Sequence, residues 1–378
     1  MPTTRPLPKS LKWLLGAVVV IGITWLLIRP RKSPDLVDSP RDIPVRGERV
    51  SRNSSGLGWE GLVAMIDQGA SPEEIRQRLA DTKTKWCEED PRVVAERIAI
   101  LLRSAEDRET GLPFETGHGG GLRSWPSLRV FLLDVLMSTD PDVAVEVARE
   151  VLAGTDSAEE YAVAMRALVM EQPWRAGDDE LHAHLANLLA KNDWQEERSE
   201  GFAEAMDLVR EIGTAQAFQS LAEWVDGSPP FKEVGAMSLH EFAAEYPDKM
   251  SARIEADPSL LASDPGLRAG LMARIDPVDS KQLGVLESYL SRGQVSLAEK
   301  RDFLRLFPLR SATTGFRLYA GTPAPYDLDQ VKASDLAAAS AVEAWLARAD
   351  LHPLNPELLA LQKRLDRWRK QAEAADKP

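Results

Sequence analysis

Five histidines, one cysteine and one glycine-rich run are where side-chain chemistry could gather along this 378-residue chain. The histidines are His118, His182, His184, His240 and His352. A metal site needs ligands that converge on one point. His182 and His184 stand two apart in a segment with helical periodicity. They are therefore about 200° apart around the axis and cannot face a shared ion. Asp178, four residues before His182, permits a carboxylate–imidazole pair; an exposed or locally hydrogen-bonded histidine is the competing reading. No His-Glu-x-x-His pattern and no cysteine pair occurs, so neither a metal nor another cofactor is expected.

The run Gly117-His118-Gly119-Gly120-Gly121 is the most unusual local feature. A phosphate-binding loop follows a strand and leads into a helix through Lys and then Ser or Thr. Here Gly111-Leu112-Pro113-Phe114 precedes the run, no lysine follows, and Ser124 leads into Trp125-Pro126. The expectation is a flexible excursion between helices over residues 108–124. Its alternative is a binding lid from which His118 and Arg123 reach a polar ligand. Nucleophilic catalysis needs a nucleophile, a base and an orienting group, and no Gly-x-Ser-x-Gly elbow is present. Cys87 precedes Glu88-Glu89-Asp90, acids that disfavour a thiolate; a small buried or half-buried residue is expected there. Paired acids such as Glu159-Glu160, Asp178-Asp179 and Glu196-Glu197 fall mostly at helix starts, where they complement the helix dipole. No catalytic residue is assigned.

The elements that would position these residues read as helices throughout. Trp59, Leu62, Val63 and Ile66 share one face of a helix that Gly69 closes. Ser71-Pro72-Glu73-Glu74, Asp90-Pro91 and Asp140-Pro141 are capping residues followed by proline at the first helical position. Helical stripes then cover residues 127–137, 142–152, 157–170, 178–190, 202–212 and 215–225, which makes three hairpins of roughly 35–40 residues. Neither helix of such a hairpin buries its stripe alone, so side-by-side stacking follows. Gly227-Ser228-Pro229-Pro230 is the best internal boundary. Shorter helices are expected at 238–246, 247–254, 265–275, 278–290 and 297–306. A loop over 317–328 and two longer helices at 334–349 and 356–375 complete the chain. The best strand candidate, residues 315–319, is too short to seed a sheet. The fold class is all-α, with stacked, solenoid-like hairpins over 59–226 and a more irregular helical part over 231–378.

One further segment stands apart. Residues 13–28, WLLGAVVVIGITWLLI, carry no charge and are bounded by Lys12 and by Arg29-Pro30-Arg31-Lys32. As a helix they cover roughly 24 Å of a hydrocarbon slab about 30 Å thick, and snorkelling of Lys12 and Arg29 supplies the remainder. Trp13 and Trp25 lie where indole rings favour the headgroup zone. A buried helix or a cleaved signal are the competing readings. The second lacks a small-x-small cleavage site, because the run ends Leu-Leu-Ile-Arg-Pro. The expectation is a short basic tail (1–12), a membrane anchor in contact with lipid (13–28) and a flexible tether (29–58).

Basic residues on the two flanks nearly balance, so the positive-inside rule alone does not set orientation. All 59 acidic side chains follow residue 32, against 40 of the basic ones, and the formal net charge of the whole chain is −13. That balance and the purely basic tail favour a cytoplasmic N-terminus with the body outside. It also disfavours nucleic acid, which requires a concentrated basic face. The basic run Lys363, Arg364, Arg367, Arg369 and Lys370 reads as the wet face of a capping helix, with Leu358, Leu359, Leu361 and Leu365 inward. Trp174, Trp194 and Trp224 recur near helix-pair ends as packing residues or, alternatively, as a partner-binding surface.

On these residues, the region 60–226 resembles a degenerate HEAT- or tetratricopeptide-type repeat. It lacks the Trp, Leu-Gly and Tyr signature positions of the tetratricopeptide consensus, so no peptide-binding residue is carried over. The layout is similar to that of single-span bacterial inner-membrane proteins with periplasmic helical repeats. That similarity implies a membrane-tethered scaffold with a protein partner. A membrane-attached enzyme acting on a polar envelope substrate and a structural spacer are the alternatives.

Overall fold

The computed structural model describes residues 58–104, 106–171, 179–310, 315–319 and 327–375. All of them belong to one compact unit, Asn53–Pro378. The expected anchor at 13–28 and nearly all of the tether lie outside the described residues. Among the described residues, no helix is long and apolar enough to cross a membrane.

The unit is all-α apart from one small hairpin. Its first helices are α1 (Trp59–Asp67), α2 (Pro72–Glu88), α3 (Pro91–Arg103), α4 (Leu128–Thr139), α5 (Pro141–Leu152) and α6 (Ala158–Glu171). The middle holds α7 (Asp179–Ala190), α8 (Asn192–Glu197), α9 (Glu200–Ala205), α10 (Leu208–Ile212), α11 (Ala215–Asp226) and α12 (Lys232–Glu245). Then come α13 (Pro247–Ala256), α14 (Pro265–Met272), α15 (Ser280–Ser291), α16 (Leu297–Leu306), α17 (Leu328–Leu346) and α18 (Asn355–Ala375). Alternate helices pack on one another. One series runs α2, α4, α6, α9, and a second runs α10, α12, α14, α16, α18; beside them α3 packs on α5, and α7, α11, α13 and α15 follow in turn. Buried aromatic rings fill the space between, including Trp86, Phe131, Phe202, Phe218, Phe242, Phe303 and Trp345.

Capping residues place the helix starts. The Glu74 carboxylate accepts the Ser71 amide at 2.9 Å, while the Ser71 hydroxyl accepts the Glu74 amide, which closes a capping box. Asp90, Asp140 and Asp264 cap α3, α5 and α14, each with proline next in sequence. Asp257-Pro258 and Asp276-Pro277 instead organise turns, and α15 starts later than expected because Asp279 is its cap, accepting the Lys281 amide at 2.7 Å. The single helix expected over 202–212 is two, α9 and α10, because the backbone tightens to i→i+3 bonds at Met206–Arg210. Leu359, read as core-facing, is 56% exposed, as is Leu336 on α17; Ala338, Val342 and Trp345 on α17 and Leu358, Leu361 and Leu365 on α18 are buried. Arg364, read as part of a wet face, turns inward and donates to the Arg305 and Phe307 carbonyls at the end of α16.

The clearest departure is the glycine-rich segment. In place of a flexible excursion there is an ordered antiparallel hairpin, β1 (Glu115–Thr116) and β2 (Leu122–Ser124), with a bulge between its two residue pairs. Residues 315–319, the expected strand candidate, are irregular. The hairpin's base is closed by the Thr110 amide on the Pro126 carbonyl at 2.8 Å and the Leu128 amide on the Arg108 carbonyl at 3.0 Å.

A buried charge fixes the hairpin to the helices. Asp134, on α4, has no exposed surface. Its Oδ2 accepts from Lys83 Nζ at 2.7 Å and Trp125 Nε1 at 2.9 Å, and its Oδ1 accepts from the Arg166 guanidinium at 2.5 Å and the Leu122 amide at 3.4 Å. Burial alone would raise this carboxyl, but Arg166 and Lys83 outweigh it and hold it below its ordinary value. Arg166 also donates to the Gly120 carbonyl, so one guanidinium joins α6 to the hairpin turn. Asp134→Ala leaves Arg166 buried with its counter-charge gone. A loss of roughly 3–5 kcal/mol is expected, read as a lower urea midpoint; an unchanged midpoint would show that the network contributes nothing.

Candidate functional site

Elements distant in sequence wall a groove of about 630 Å³. The hairpin side contributes Phe114, Glu115, Thr116 and Arg123, and α9 contributes Glu200, Ala203 and Glu204. Phe231 and the first turns of α12 supply the opposite wall, with Glu233, Val234 and Met237; Gly315 and Phe316 complete it.

Glu204 ties these walls together. Its Oε2 accepts the backbone amides of Arg317 and Leu318, each at 2.9 Å, and its Oε1 accepts the Thr116 hydroxyl at 3.1 Å. Burial raises this carboxyl above its ordinary value, and those three hydrogen bonds oppose the rise without cancelling it. Tyr319, buried, donates to the Ala162 carbonyl at 3.0 Å and so roots the same segment on α6. The hairpin meets that segment backbone to backbone. Gly120 has φ +78°, and a Cβ there would stand 2.5 Å from the Leu318 carbonyl oxygen. Only glycine satisfies both the left-handed conformation and the close approach.

The groove has an apolar floor and an acidic rim. Phe114 and Val234 are buried, Phe231 and Phe316 half-buried, and Met237 is 39% exposed. Phe231 stacks on Phe202 with centroids 6.3 Å apart, and the Arg198 guanidinium lies 5.4 Å from the Phe231 ring centre. Arg198 also approaches Glu233 at 3.9 Å. Glu115 and Glu200, both exposed, make no ion pair among the described residues. Arg123 is the rim's one basic side chain among those that line the groove.

The sequence-derived candidates are scattered by comparison. Arg123 is on the rim, while His118 is on the hairpin turn, its side chain outside the described residues. The hairpin is held by Arg166 and Asp134, so it is a wall of the groove rather than a lid over it. Trp174 and Asp178 lie outside the described residues. Trp194 is buried, donates to the Asp156 carbonyl at 2.9 Å and packs on Tyr161. Trp224 is half-buried against Phe202 and Gly235, where a Cβ would meet its ring at 2.6 Å. His182 pairs with the Thr214 hydroxyl at 3.1 Å, His184 lies 3.4 Å from the Tyr161 hydroxyl, and His240 accepts from Arg274 at 2.9 Å. Burial, then Arg274, pushes His240 down to about 4. Among the described residues no three His, Cys, Asp or Glu side chains converge as a metal site. Cys87, expected to be at least half-buried, is exposed, because it follows the inward Trp86 at the outer end of α2.

Sequence reasoning missed Glu204, Phe231 and Phe316. Glu204 reads as an ordinary polar position on a helix, and nothing local signals a partner more than a hundred residues away. No protein-family model, curated protein or solved structure matches the chain.

A second perturbed carboxyl lies on α10. Arg210 bridges Asp207 at 2.8 Å, Glu211 at 2.5 Å and Glu245 at 3.1 Å. Burial pushes Glu211 up to about 7; Arg210 lowers it, and Asp207 and Glu245 raise it again. Because the folded value lies above the ordinary 4.5, ionisation costs stability as pH rises from about 4.5 through 7, and the cost is absent below that window. Glu211→Gln is expected to stabilise the protein by roughly 1–3 kcal/mol at pH 8 and to leave it nearly unchanged at pH 4.5, measured by urea unfolding. For the groove wall, Glu204→Ala should speed hydrogen exchange at the Arg317 and Leu318 amides at least tenfold, while amides inside α4 keep their protection. Equal exchange in both proteins would mean that Glu204 does not hold the segment.

Proposed function

We propose that this chain is a membrane-tethered helical scaffold whose folded body holds a protein partner. In this reading residues 13–28 anchor it, residues 29–58 space the body from the bilayer, and the N-terminus faces the cytoplasm of a bacterium with the body in the periplasm. The succession of alternately packed helices favours a solenoid-like, degenerate HEAT- or tetratricopeptide-type arrangement over 59–226, continued in less regular form over 231–378. The groove is the observation that carries the reading. Its floor exposes aromatic and thioether surface between fixed walls, and such surface beside a polar rim is typical of binding sites. Rigid walls also lower the ordering cost of association.

Two measurements test this. Full-length protein should sediment with membranes and resist alkaline extraction, whereas Val19→Arg with Ile23→Arg should release it; wild type in the soluble fraction would remove the anchor from the reading. In mild detergent, crosslinking from residues beside the groove should capture a defined partner, and a strictly solitary protein across several growth conditions would sink the scaffold role.

A further inference from the structure

The groove's chemistry selects among partners, and the following rests on the scaffold reading above. We infer that the groove binds an extended polypeptide segment in which arginine or lysine alternates with aromatic or large aliphatic side chains. Three observations lead there. The first is charge: Glu115, Glu200, Glu204 and Glu233 line the cavity, against Arg123 alone. Glu204 is spent on the 315–319 backbone and Glu233 is shared with Arg198. Glu115 on the hairpin and Glu200 on α9 are exposed and make no ion pair among the described residues, so they offer carboxylates on two walls.

The second observation is the floor. Phe231 is already covered by the chain's own Arg198 guanidinium at 5.4 Å and by Phe202, so the apolar surface open to a ligand is mainly that of its neighbours in the groove. Phe316 and Met237 present further apolar surface to an incoming side chain. An acidic or phosphorylated ligand would meet like charge on both walls, and a purely apolar one would leave the rim carboxylates partly desolvated without partners.

The third is size and rigidity. About 630 Å³ is within the range of pockets that enclose a few side chains rather than a whole domain. The hairpin wall is pinned by Arg166 on the Gly120 carbonyl, and the adjoining 315–319 backbone by Glu204. A short segment can therefore dock without remodelling the site.

The test uses full-length protein in detergent and a fluorescein-labelled peptide, Arg-Trp-Arg-Leu-Arg, with a glutamate-for-arginine version as control. Anisotropy should report saturable binding of the basic peptide that weakens with salt, and none of the acidic one. Glu115→Gln with Glu200→Gln should weaken binding about fivefold, in keeping with two exposed ion pairs, with an unchanged melting temperature. Arg123→Gln should tighten binding, and Phe316→Ala should weaken it without altering the salt slope. Equal binding of acidic and basic peptides, or indifference to the rim substitutions, would overturn the inference. A partner crosslinked equally well by wild type and by the double glutamine variant would also overturn it, yet would leave the scaffold role standing through another surface.

Discussion

A carboxylate without exposed surface must be met by donors on every side, and Asp134 imposes that requirement on the first half of the unit. Its donors come from α2, from the loop before α4, from β2 and from α6. Satisfying one charge therefore fixes four segments at once, and the geometry cannot loosen at one of them without leaving the charge uncompensated. The arrangement of the later helices answers a similar demand. Arg268, on α14, forms two 2.7 Å bonds to Glu299 on α16, Tyr289 on α15 donates to the same carboxylate at 2.7 Å, and the Pro258 carbonyl accepts from the guanidinium at 2.7 Å. In both clusters the arginine also serves backbone carbonyls in a turn that has no helix to satisfy them.

Close backbone packing sets the second constraint. A Cβ on Gly201 would stand 2.6 Å from the Glu159 backbone, so α9 rests on the start of α6 with no side chain between them. Glu204 follows one turn later on the same short helix. Its height above α6 is thereby fixed, and its carboxylate reaches both Thr116 and the amides of residues 317 and 318. The groove depends on this chain of contacts: a glycine brings the helix in, and the helix delivers a carboxylate to two loops.

What the sequence made legible was local. Ser71, Asp90 and Asp140 act as the caps their neighbours imply, and α11 and α16 begin and end within a residue of where periodicity places them, because capping and amphipathicity are decided within one or two turns. The hairpin escaped notice since its two strands are too short to show alternation, and its order derives from Asp134 and Arg166 rather than from its own residues. Leu359 misled for a related reason: a leucine on a helix facing solvent has the same local pattern as one facing a neighbour. Of the candidate side chains among the described residues, only Arg123 falls on the groove's rim. Glu200, Phe231 and Phe316, which line the same groove, lie on three other segments, and only the tertiary fold brings them together.

The 315–319 segment has a consequence for how the unit comes apart. In a stack of helices most contacts join neighbours, so stability is expected to be distributed along the chain and the ends can fray independently. Here Glu204 reaches across 113 and 114 residues to Arg317 and Leu318, and Tyr319 reaches across 157 to Ala162. Those links close a long loop whose entropy must be overcome late in folding. In return they join early and late helices into one cooperative block, in which unfolding of the segment after α16 is felt at α6 and at the hairpin.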